Sequence, residues 1–272
     1  MTREHALAQR FLDLHVPGSP LLMPNVWDLG SARIIESLGF AAAATTSSGF
    51  AATLGRRDGQ VTRNEAINHG SRIAAAVDIP VSADLEDGYG PTPEDAAETV
   101  RRAAGQGLAG CSIEDATRDR DRPVHDHGLA VERVAAAAET AHGDARIVLT
   151  ARAENLLYGV GDLDDTIARL QAYAAAGADV LFAPGLGTAD DVRAVVESVD
   201  RPVNVLVHAG LPPIPELAEL GIARVSVGGS LAFAALAALV DAATELRDTG
   251  TYDWTAAAKA SRSTINKALD PR

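Results

Sequence analysis

The chain has 272 residues, of which 47% are hydrophobic, and a formal net charge of −13. This length and apolar content are enough to bury a large core in one α/β domain. The acidic balance, with no long run of Lys or Arg, argues against partners such as nucleic acid or an anionic membrane surface.

Cysteine usage and the apolar segments bear on the compartment. Cys111 is the single cysteine, so no disulfide can form within the chain, and a reducing compartment fits. Residues 1–16 are charged and amphipathic and lack the apolar core of a secretory signal. No apolar stretch reaches membrane-spanning length without Gly, Pro or a charge. The sequence therefore predicts a soluble cytoplasmic protein.

Short apolar segments alternate along the chain with longer, Ala-rich segments of helical period. The short segments predict eight strands, at 21–24, 40–45, 81–84, 110–114, 147–152, 180–183, 203–207 and 224–227. The longer segments predict eight helices, at about 28–38, 62–77, 93–106, 128–142, 163–176, 188–198, 213–220 and 229–247. Eight strand–helix units favour a (β/α)8 TIM barrel of the α/β class over a doubly wound sheet.

Two further helices are predicted outside these units. One covers 6–14 within an N-terminal segment, 1–20, and the other covers 254–269 within a C-terminal extension, 250–272. The barrel itself is predicted over 21–249, and since no linker divides the chain, 1–272 is predicted to be a single domain. The last helix carries an apolar stripe that one barrel need not cover, which predicts an oligomer contact.

The segment 80–90 carries the strongest functional signal, because an apolar strand runs into three carboxylates and two glycines. Asp84, Glu86 and Asp87 repel one another, and a bound divalent cation is the strongest general reason to keep them together. Strand alternation would place Asp84 and Glu86 on one face and Asp87 on the other. The alternative is a solvated acidic turn near a helix N-cap.

Polar residues collect where the predicted strands end, which is where a barrel of this kind places its chemistry. Asp84, Glu86, Glu114 and Asp58 offer the hard oxygen ligands that suit Mg²⁺, with Mn²⁺ as a substitute. The scarcity of thiolates and paired imidazoles argues against zinc. Arg152 can bind a carboxylate or a developing enolate oxygen, or it can balance the buried acids, and both roles are compatible.

Several of these segments resemble the signature segments of the isocitrate lyase and phosphoenolpyruvate mutase superfamily. The signature segments are DLEDGYG at 84–90, SIED at 112–115 and TARAEN at 150–155. SSG at 47–49 and LGRRD at 54–58 are similar to its substrate-gripping segments, and AAGADVLF at 175–182 is similar to the segment entering its sixth strand. The resemblance extends from about residue 21 to residue 242, and TARAEN looks closer to the mutase-like branch.

The resemblance implies a Mg²⁺-dependent barrel that makes or breaks a carbon–carbon or carbon–phosphorus bond. The bond lies beside a 2-oxo or 2-hydroxy acid, and the reaction passes through a pyruvate-enolate-like species. The resemblance also implies homo-oligomers, tetramers or dimers, in which the C-terminal helices exchange between subunits. Carried over by position, Asp84 would be the direct metal ligand, and Asp58, Glu86 and Glu114 would act through bound water.

The same carry-over assigns the substrate-binding residues. Ser48 and Gly49, with Ser47 beside them, would hold the substrate carboxylate, and Arg152 would hold the carboxylate or oxo oxygen. His208, after the seventh strand, is a candidate pocket residue, with a structural hydrogen bond as the alternative. The turn at 227–230 is either a phosphate site at a helix N-terminus or simply the entry to the last helix, which is favoured.

The loop at 115–128 departs from the family pattern. It lacks the cysteine of the lyase branch and the asparagine of the mutase and phosphonopyruvate hydrolase branch. Alternating Arg and Asp residues predict a charged gate, in which His125 or His127 could transfer a proton, although loop histidines are more often bystanders. Ala183 stands where lyases for larger acids place a glutamate, which argues against isocitrate and methylisocitrate and favours a small 2-oxo acid.

The leading hypothesis is a Mg²⁺-dependent lyase or hydrolase. It would cleave a carbon–carbon bond of a small 2-oxo or 2-hydroxy dicarboxylate of oxaloacetate size, with Arg152, Asp58 and His125 as catalytic candidates. One alternative is carbon–phosphorus chemistry, as in phosphoenolpyruvate mutase or phosphonopyruvate hydrolase. Another is a barrel that binds ligand without turnover.

Overall fold

The computed structural model describes residues 3–143 and 146–270. Its strands are β1 (Leu21–Met23), β2 (Asn25–Val26), β3 (Ala43–Thr45), β4 (Val81–Asp84), β5 (Gly110–Glu114), β6 (Val148–Arg152), β7 (Val180–Phe182), β8 (Val203–Leu206) and β9 (Arg224–Ser226). Its helices are α1 (Arg3–Asp13), α2 (Leu29–Ser37), α3 (Ser47–Thr53), α4 (Arg63–Ala76), α5 (Pro93–Ala104), α6 (His127–Ala141), α7 (Leu163–Ala175), α8 (Ala189–Ser198), α9 (Ile214–Glu219), α10 (Ser230–Asp248) and α11 (Thr255–Leu269). Parts of the predicted terminal segments, 1–2 and 271–272, lie outside the described residues.

All the strands pair in parallel, in the order β1-β9-β8-β7-β6-β5-β4-β3-β2. Only Pro24 separates β1 from β2, so these two form one barrel strand that is interrupted where proline cannot donate to the ladder. The Pro24 carbonyl still accepts a hydrogen bond from the Ala44 N–H at 3.1 Å. Because β1 pairs with β9 and β2 with β3, the sheet returns to its beginning as a nearly closed barrel. The predicted α/β barrel is confirmed.

One helix was not predicted. Residues Ser47–Thr53 form α3 directly after β3, where the sequence predicts no helix but only a substrate-gripping segment. Thr46 caps this short helix, since its hydroxyl accepts a hydrogen bond from the Gly49 N–H at 3.4 Å. A segment of seven residues that contains a glycine gives too weak a helical period to be recognised from sequence.

Phe11 of α1 closes the amino end of the barrel. Its ring is completely buried in a cluster of residues at or near the strand starts, namely Leu21, Met23, Ala42, Ala44, Ala109, Val148 and Val180. A Cβ atom on Gly110 would lie 2.6 Å from this ring, so glycine lets Phe11 approach β5 closely. The N-terminal helix is therefore part of the barrel core.

Arg224 lies inside the barrel with 2% of its surface exposed. Its guanidinium donates hydrogen bonds to Asn204 Oδ1 at 2.9 Å, Thr150 Oγ1 at 3.1 Å and His15 Nε2 at 3.1 Å. His15 Nδ1 lies 2.8 Å from the Phe11 carbonyl, which can only accept, so Nδ1 carries the proton and Nε2 accepts from Arg224. Burial and the Arg224 charge lower the pKa of His15 to about 3, which keeps this ring neutral.

The C-terminal helices leave apolar side chains exposed. Helix α10 is nineteen residues long, and Ala232 is its single buried residue, whereas Leu239 and Val240 are 63% and 62% exposed. Helix α11 packs against α2 of the same chain, and the Arg33 guanidinium donates to the Asp270 carbonyl. Oligomer formation and helix exchange between subunits stay predictions. No helix within the described ranges has the length and apolarity needed to cross a bilayer.

Replacing Phe11 by alanine tests the amino-terminal plug. We expect Phe11→Ala to lower the free energy of unfolding by about 3–5 kcal/mol, because it opens a cavity where strand starts converge. Gln9→Ala, on the exposed side of the same helix, is the matched control and should change it by no more than about 0.5 kcal/mol. Urea denaturation measures both values. Equal effects of the two variants would show that α1 is not part of the core.

Candidate active site

A cavity of about 580 Å³ opens where the loops following β3, β4, β5 and β6 meet. The side chains around it come from four separate segments of the chain, and many of them are acidic. They include Ser47, Asp58, Glu86, Asp87, Glu114, Arg118, Arg152, Glu154, Leu157 and Tyr158. The parallel barrel brings these distant residues together at the carboxyl ends of its strands.

Arg152 is the central cation of this cavity. Its Nη1 atom lies 3.3 Å from Asp84 Oδ1 and 3.1 Å from Glu114 Oε2, and its Nη2 atom lies 2.9 Å from Glu154 Oε1. The guanidinium carbon also lies 5.1 Å from the centre of the Phe182 ring. Burial opposes the charge, but the three carboxylates together raise the pKa of Arg152 above its ordinary value. Arg152 therefore stays charged although it is buried.

The carboxylates outnumber this cation, and burial raises the pKa values of several of them. Burial, then the charge of Asp84, raises the pKa of Glu86 to about 7. Burial raises the pKa of Glu114 well above its usual range, and the opposing effect of Arg152 does not cancel it. The pKa of Asp58 is also raised, chiefly because its carboxyl group is partly desolvated in the loop, although the residue as a whole is exposed. If all of these carboxyl groups were ionised, the cluster would carry more negative charge than Arg152 can neutralise.

This donor set fits a hard divalent cation. Carboxylate oxygens are the protein ligands that Mg²⁺ prefers, and Mg²⁺ usually keeps several waters in its coordination shell. Among residues 3–143 and 146–270, no three acidic, histidine or cysteine side chains already converge as a direct ligand set. The assignment of Asp84 as a direct ligand, with Asp58, Glu86 and Glu114 acting through water, stays a prediction.

Asp84 is the last residue of β4, and hydrogen bonds with three neighbouring groups fix its position. Its backbone N–H donates to Thr45 Oγ1 at 2.9 Å, and its Oδ2 accepts from the Ser47 N–H at 3.1 Å. Its Oδ1 accepts from the Glu86 N–H at 3.3 Å. The strand alternation predicted through Glu86 is wrong, because β4 stops at Asp84 and Glu86 has a left-handed φ of +47°. A tight turn, rather than a pleat, brings Glu86 to the cavity.

Three arginines hold this turn, and this role was not predicted from the sequence for any of them. Arg118 binds the Asp87 carboxylate through Nε and Nη2, both at 3.1 Å. Arg133, which is 1% exposed, donates to the Asp87 carbonyl and, at 2.6 Å, to the Gly90 carbonyl. Arg63 donates to the carbonyl groups of residues 88 and 89 at 3.3 and 3.1 Å. An arginine in the buried stripe of α6, beside Val134 and Ala137, is the signal that could have revealed Arg133.

Ser47 reaches the cavity, whereas Ser48 and Gly49 are not among the described residues that line it. The Ser48 hydroxyl lies 3.2 Å from Thr46 Oγ1, and the Gly49 N–H is used by the helix cap. A Cβ atom on Gly49 would lie 2.7 Å from Thr46 Cγ2, so its small size serves packing. Ser47 is therefore the serine of this segment that is placed to meet a ligand.

None of the three predicted histidines, His125, His127 and His208, is among the described residues that line the Arg152 cavity. His125 lies beside a neighbouring cavity of about 1190 Å³, and burial, then the charge of Arg133, lowers its pKa. His208 is exposed, and both of its ring nitrogens have backbone partners: Nε2 donates to the Leu186 carbonyl at 2.9 Å and Nδ1 accepts from the Gly210 N–H at 3.1 Å. His208 thus makes structural hydrogen bonds, which was the alternative to a place in the pocket.

Two other predicted features also have structural roles. The N–H groups of Val227 and Gly228 donate to Asn25 Oδ1 at 3.0 and 2.9 Å. Both donors of this turn are therefore used in hydrogen bonds within the barrel. The favoured description of 227–230 as the entry to the last helix agrees with this contact. Cys111 is completely buried in β5, where burial raises the pKa of its thiol to about 12.

A buried group behind Arg152 supports the cluster. Asp115 accepts hydrogen bonds from Arg169 Nη1 at 2.9 Å, from the Tyr173 hydroxyl at 2.6 Å and from the Glu154 N–H at 2.8 Å. Glu154 in turn accepts from Arg152 Nε at 2.9 Å. In the sequence, Asp115 and Glu154 stand out only as parts of the family motifs. Their place behind the guanidinium depends on contacts with α7.

Comparison with known proteins agrees with this geometry. The profile of the family described as phosphoenolpyruvate phosphomutase matches residues 11–247. A solved structure from Burkholderia cenocepacia J2315, provisionally described as a lyase/mutase, is 47% identical with a TM-score of 0.94, over 99% of this chain and 98% of that chain. The uncharacterized protein Rv1998c of Mycobacterium tuberculosis (strain H37Rv) is 34% identical over 88% of this chain and 89% of its own length.

A relative whose name states a reaction matches a similar share of this chain. Oxaloacetate decarboxylase of Pseudomonas entomophila (strain L48) is 30% identical over 87% of this chain and 83% of its own length. The family profile, the relatives and the barrel with acidic residues at its strand ends all agree with the resemblance noted in the sequence. The chain belongs to the phosphoenolpyruvate mutase family, within the isocitrate lyase/phosphoenolpyruvate mutase superfamily.

Proposed function

We propose that the protein is a Mg²⁺-dependent lyase or hydrolase that cleaves a carbon–carbon bond of a small 2-oxo or 2-hydroxy dicarboxylate of oxaloacetate size. The observation that carries the proposal is the buried guanidinium of Arg152 among Asp84, Glu114 and Glu154. The superfamily is one of lyases and mutases. Similarity to an oxaloacetate decarboxylase supports an oxaloacetate-sized substrate.

The chemistry explains why this arrangement suits the reaction. Breaking a bond beside a carbonyl group leaves an electron pair that must be taken up by the carbonyl oxygen. A preorganised cationic donor at that oxygen stabilises the transition state more than the ground state. When bound, Mg²⁺ supplies a Lewis acid for the substrate oxygens. Asp84 would hold it directly, and Asp58, Glu86 and Glu114 would hold it through water.

The protein's own residues have distinct tasks in this scheme. Arg152 binds the substrate carboxylate or the oxygen that gains charge, and Glu154 fixes the plane of its guanidinium. Ser47, at the cavity wall, would donate its hydroxyl to a substrate carboxylate. Leu157 and Tyr158 lie at the cavity and limit the room for large substituents. His125 could transfer a proton only if the 115–128 segment brought it to the Arg152 cavity.

Carbon–phosphorus chemistry is a second candidate function. It is favoured by the family description, phosphoenolpyruvate phosphomutase, whose profile covers most of the chain. The same enolate-stabilising site would serve phosphonopyruvate, because its cleavage also leaves a pyruvate enolate. The missing asparagine in the 115–128 loop is the reason to place this candidate second.

A substrate comparison tests the proposal. Pure protein with Mg²⁺ is incubated separately with oxaloacetate, phosphonopyruvate and 2-methylisocitrate, and pyruvate, oxalate, phosphate and succinate are measured. We expect Mg²⁺-dependent release of pyruvate or oxalate from oxaloacetate. Phosphate release from phosphonopyruvate alone would favour the second candidate. Binding of oxalate without any turnover would favour a ligand-binding barrel and overturn the enzymatic proposal.

Arg152→Lys tests the role of the guanidinium. Lysine keeps the charge but loses the fork of donors, so we expect kcat/KM to fall about 10²–10³-fold, as for loss of one preorganised donor. Steady-state kinetics with the substrate identified above measures the change. The matched control, Arg193→Lys in the exposed Arg193–Asp190 pair on α8, should leave kcat/KM unchanged. Full activity of Arg152→Lys would contradict the assignment.

The raised carboxylate pKa values predict how stability depends on pH. The pKa of Glu86 is about 7 in the folded protein against an ordinary value of 4.5, so the folded state binds the proton more tightly than the unfolded state. This contribution is complete below pH 4.5 and is lost as pH rises through 7, by about 3 kcal/mol. Without divalent cations, we therefore expect Tm to fall between pH 5 and about 7.5.

Variants and added Mg²⁺ show whether Glu86 causes this fall in Tm. Glu86→Gln should flatten the fall in Tm, whereas Glu139→Gln, on the exposed side of α6, should retain it. Mg²⁺ should raise Tm more at pH 7.5 than at pH 5, because ionised carboxylates bind the ion. Thermal unfolding in chelator and in Mg²⁺ measures both effects. A Tm that rises with pH in chelator would contradict the predicted direction.

A further inference from the structure

A small cavity of about 10 Å³ adjoins the carboxylate cluster. It shares Ser47 and Glu86 with the Arg152 cavity but is a distinct space. Its lining includes Thr45, Phe50, His69, Asp84 and Glu86. This volume is close to the minimum that holds one water molecule. The cavity therefore has the size and the polar lining of a site for one buried water.

His69 presents an unpartnered nitrogen in this region. Its Nε2 atom is inaccessible to solvent and has no hydrogen-bond partner among residues 3–143 and 146–270. A buried polar atom without a partner costs free energy comparable to a lost hydrogen bond, so such atoms are normally satisfied by protein or by ordered water. A small polar partner, such as a water molecule, would satisfy the Nε2 atom.

The ring cannot easily turn away from this position. It stacks on Phe50 with the ring centres 3.7 Å apart and an angle of 8° between the planes. The backbone of His69 lies within α4, so the helix fixes the positions of its Cα and Cβ atoms. Burial lowers the pKa of His69 to about 4, so the ring is neutral and one of its two nitrogens carries a proton.

The other polar groups of the cavity complete the set that a water molecule needs. The carboxylates of Asp84 and Glu86 can only accept hydrogen bonds when ionised, whereas a neutral imidazole can donate from Nε2. A water between them would accept from His69 and donate to the carboxylates. Two to four polar partners are typical of buried waters.

We propose that one buried water molecule occupies this cavity and joins His69 Nε2–H to the carboxylates of Asp84 and Glu86. His69 is thereby a positioning residue, which acts on the carboxylates through the water and touches no substrate. Its effect on Mg²⁺ binding rests on the proposed function, whereas the water site itself does not. Groups that orient metal ligands in this way typically change metal affinity by roughly 10- to 100-fold when removed.

A high-resolution crystal structure of the full chain, grown with and without Mg²⁺, tests the water site directly. We expect one water within hydrogen-bond distance of His69 Nε2 and of an Asp84 or Glu86 oxygen in the metal-free crystal. The result that would overturn the proposal is an empty cavity, or a His69 Nε2 atom bonded to another protein group. This readout does not depend on any activity of the protein.

Two substitutions at residue 69 test the positioning role. His69→Phe keeps an aromatic ring for stacking on Phe50 but removes Nε2, so the Kd for Mg²⁺ measured by calorimetry should rise about 10-fold. His69→Gln restores an N–H at a similar reach and should stay within about 3-fold of the original protein. Circular dichroism confirms that each variant folds. Equal losses in both variants would refute the positioning role.

Failure of the proposed function gives a different pattern. A protein that binds no Mg²⁺ and cleaves none of the three acids would contradict the proposed function, while the metal-free crystal would still decide whether the water is present. Phe50→Leu is the matched control, because it removes the stacking partner and leaves Nε2 in place. A larger loss of Mg²⁺ affinity in Phe50→Leu than in His69→Phe would show that stacking, rather than the water, matters, and would overturn the proposal.

Discussion

The candidate site depends on one electrostatic constraint, which is the surplus of carboxylates around the buried guanidinium of Arg152. Asp84, Glu114 and Glu154 all contact this single cation, and burial, then the charge of Asp84, raises the pKa of Glu86 beside them. Burying like charges together is unfavourable unless a cation or protons compensate them. The barrel tolerates this cost at its mouth, where the proposed Mg²⁺ ion would offset the surplus negative charge.

Backbone strain next to the cluster has a similar explanation. Glu86 and Tyr89 are non-glycine residues with φ values of +47° and +60°, a conformation that costs roughly 1–2 kcal/mol per residue. Arg63, Arg118 and Arg133 hold the turn from three different elements, through its carbonyl groups and the Asp87 carboxylate. The contacts offset the strain, and they keep the Glu86 carboxylate beside Asp84. Rigid support of this kind suits a site that must hold charge in fixed positions.

Much of the architecture could be predicted from the sequence, because it follows from local patterns. Apolar segments of strand length, helices with caps such as Thr92 with Asp95, and glycine at helix ends identify eight strand–helix units whatever the tertiary context. The barrel rule then places Asp84, Glu114 and Arg152 at one end, and the structure brings all three into contact. Strand-end position is a property of chain order, which explains why these residues were found.

The sequence by itself determined the barrel, the family and the acidic character of the site, since these follow from periodicity and from motifs that are contiguous in the chain. Only the tertiary structure decided which side chain of a loop reaches the cavity, so that Ser47 lines it while Ser48 and Gly49 serve the α3 cap, and His208 bonds to backbone. The physical reason is that the direction of a side chain in a loop depends on its packing and hydrogen-bond partners, which come from residues far away in the chain. The arginine supports of the turn, such as Arg133, belong to the same class of long-range contact.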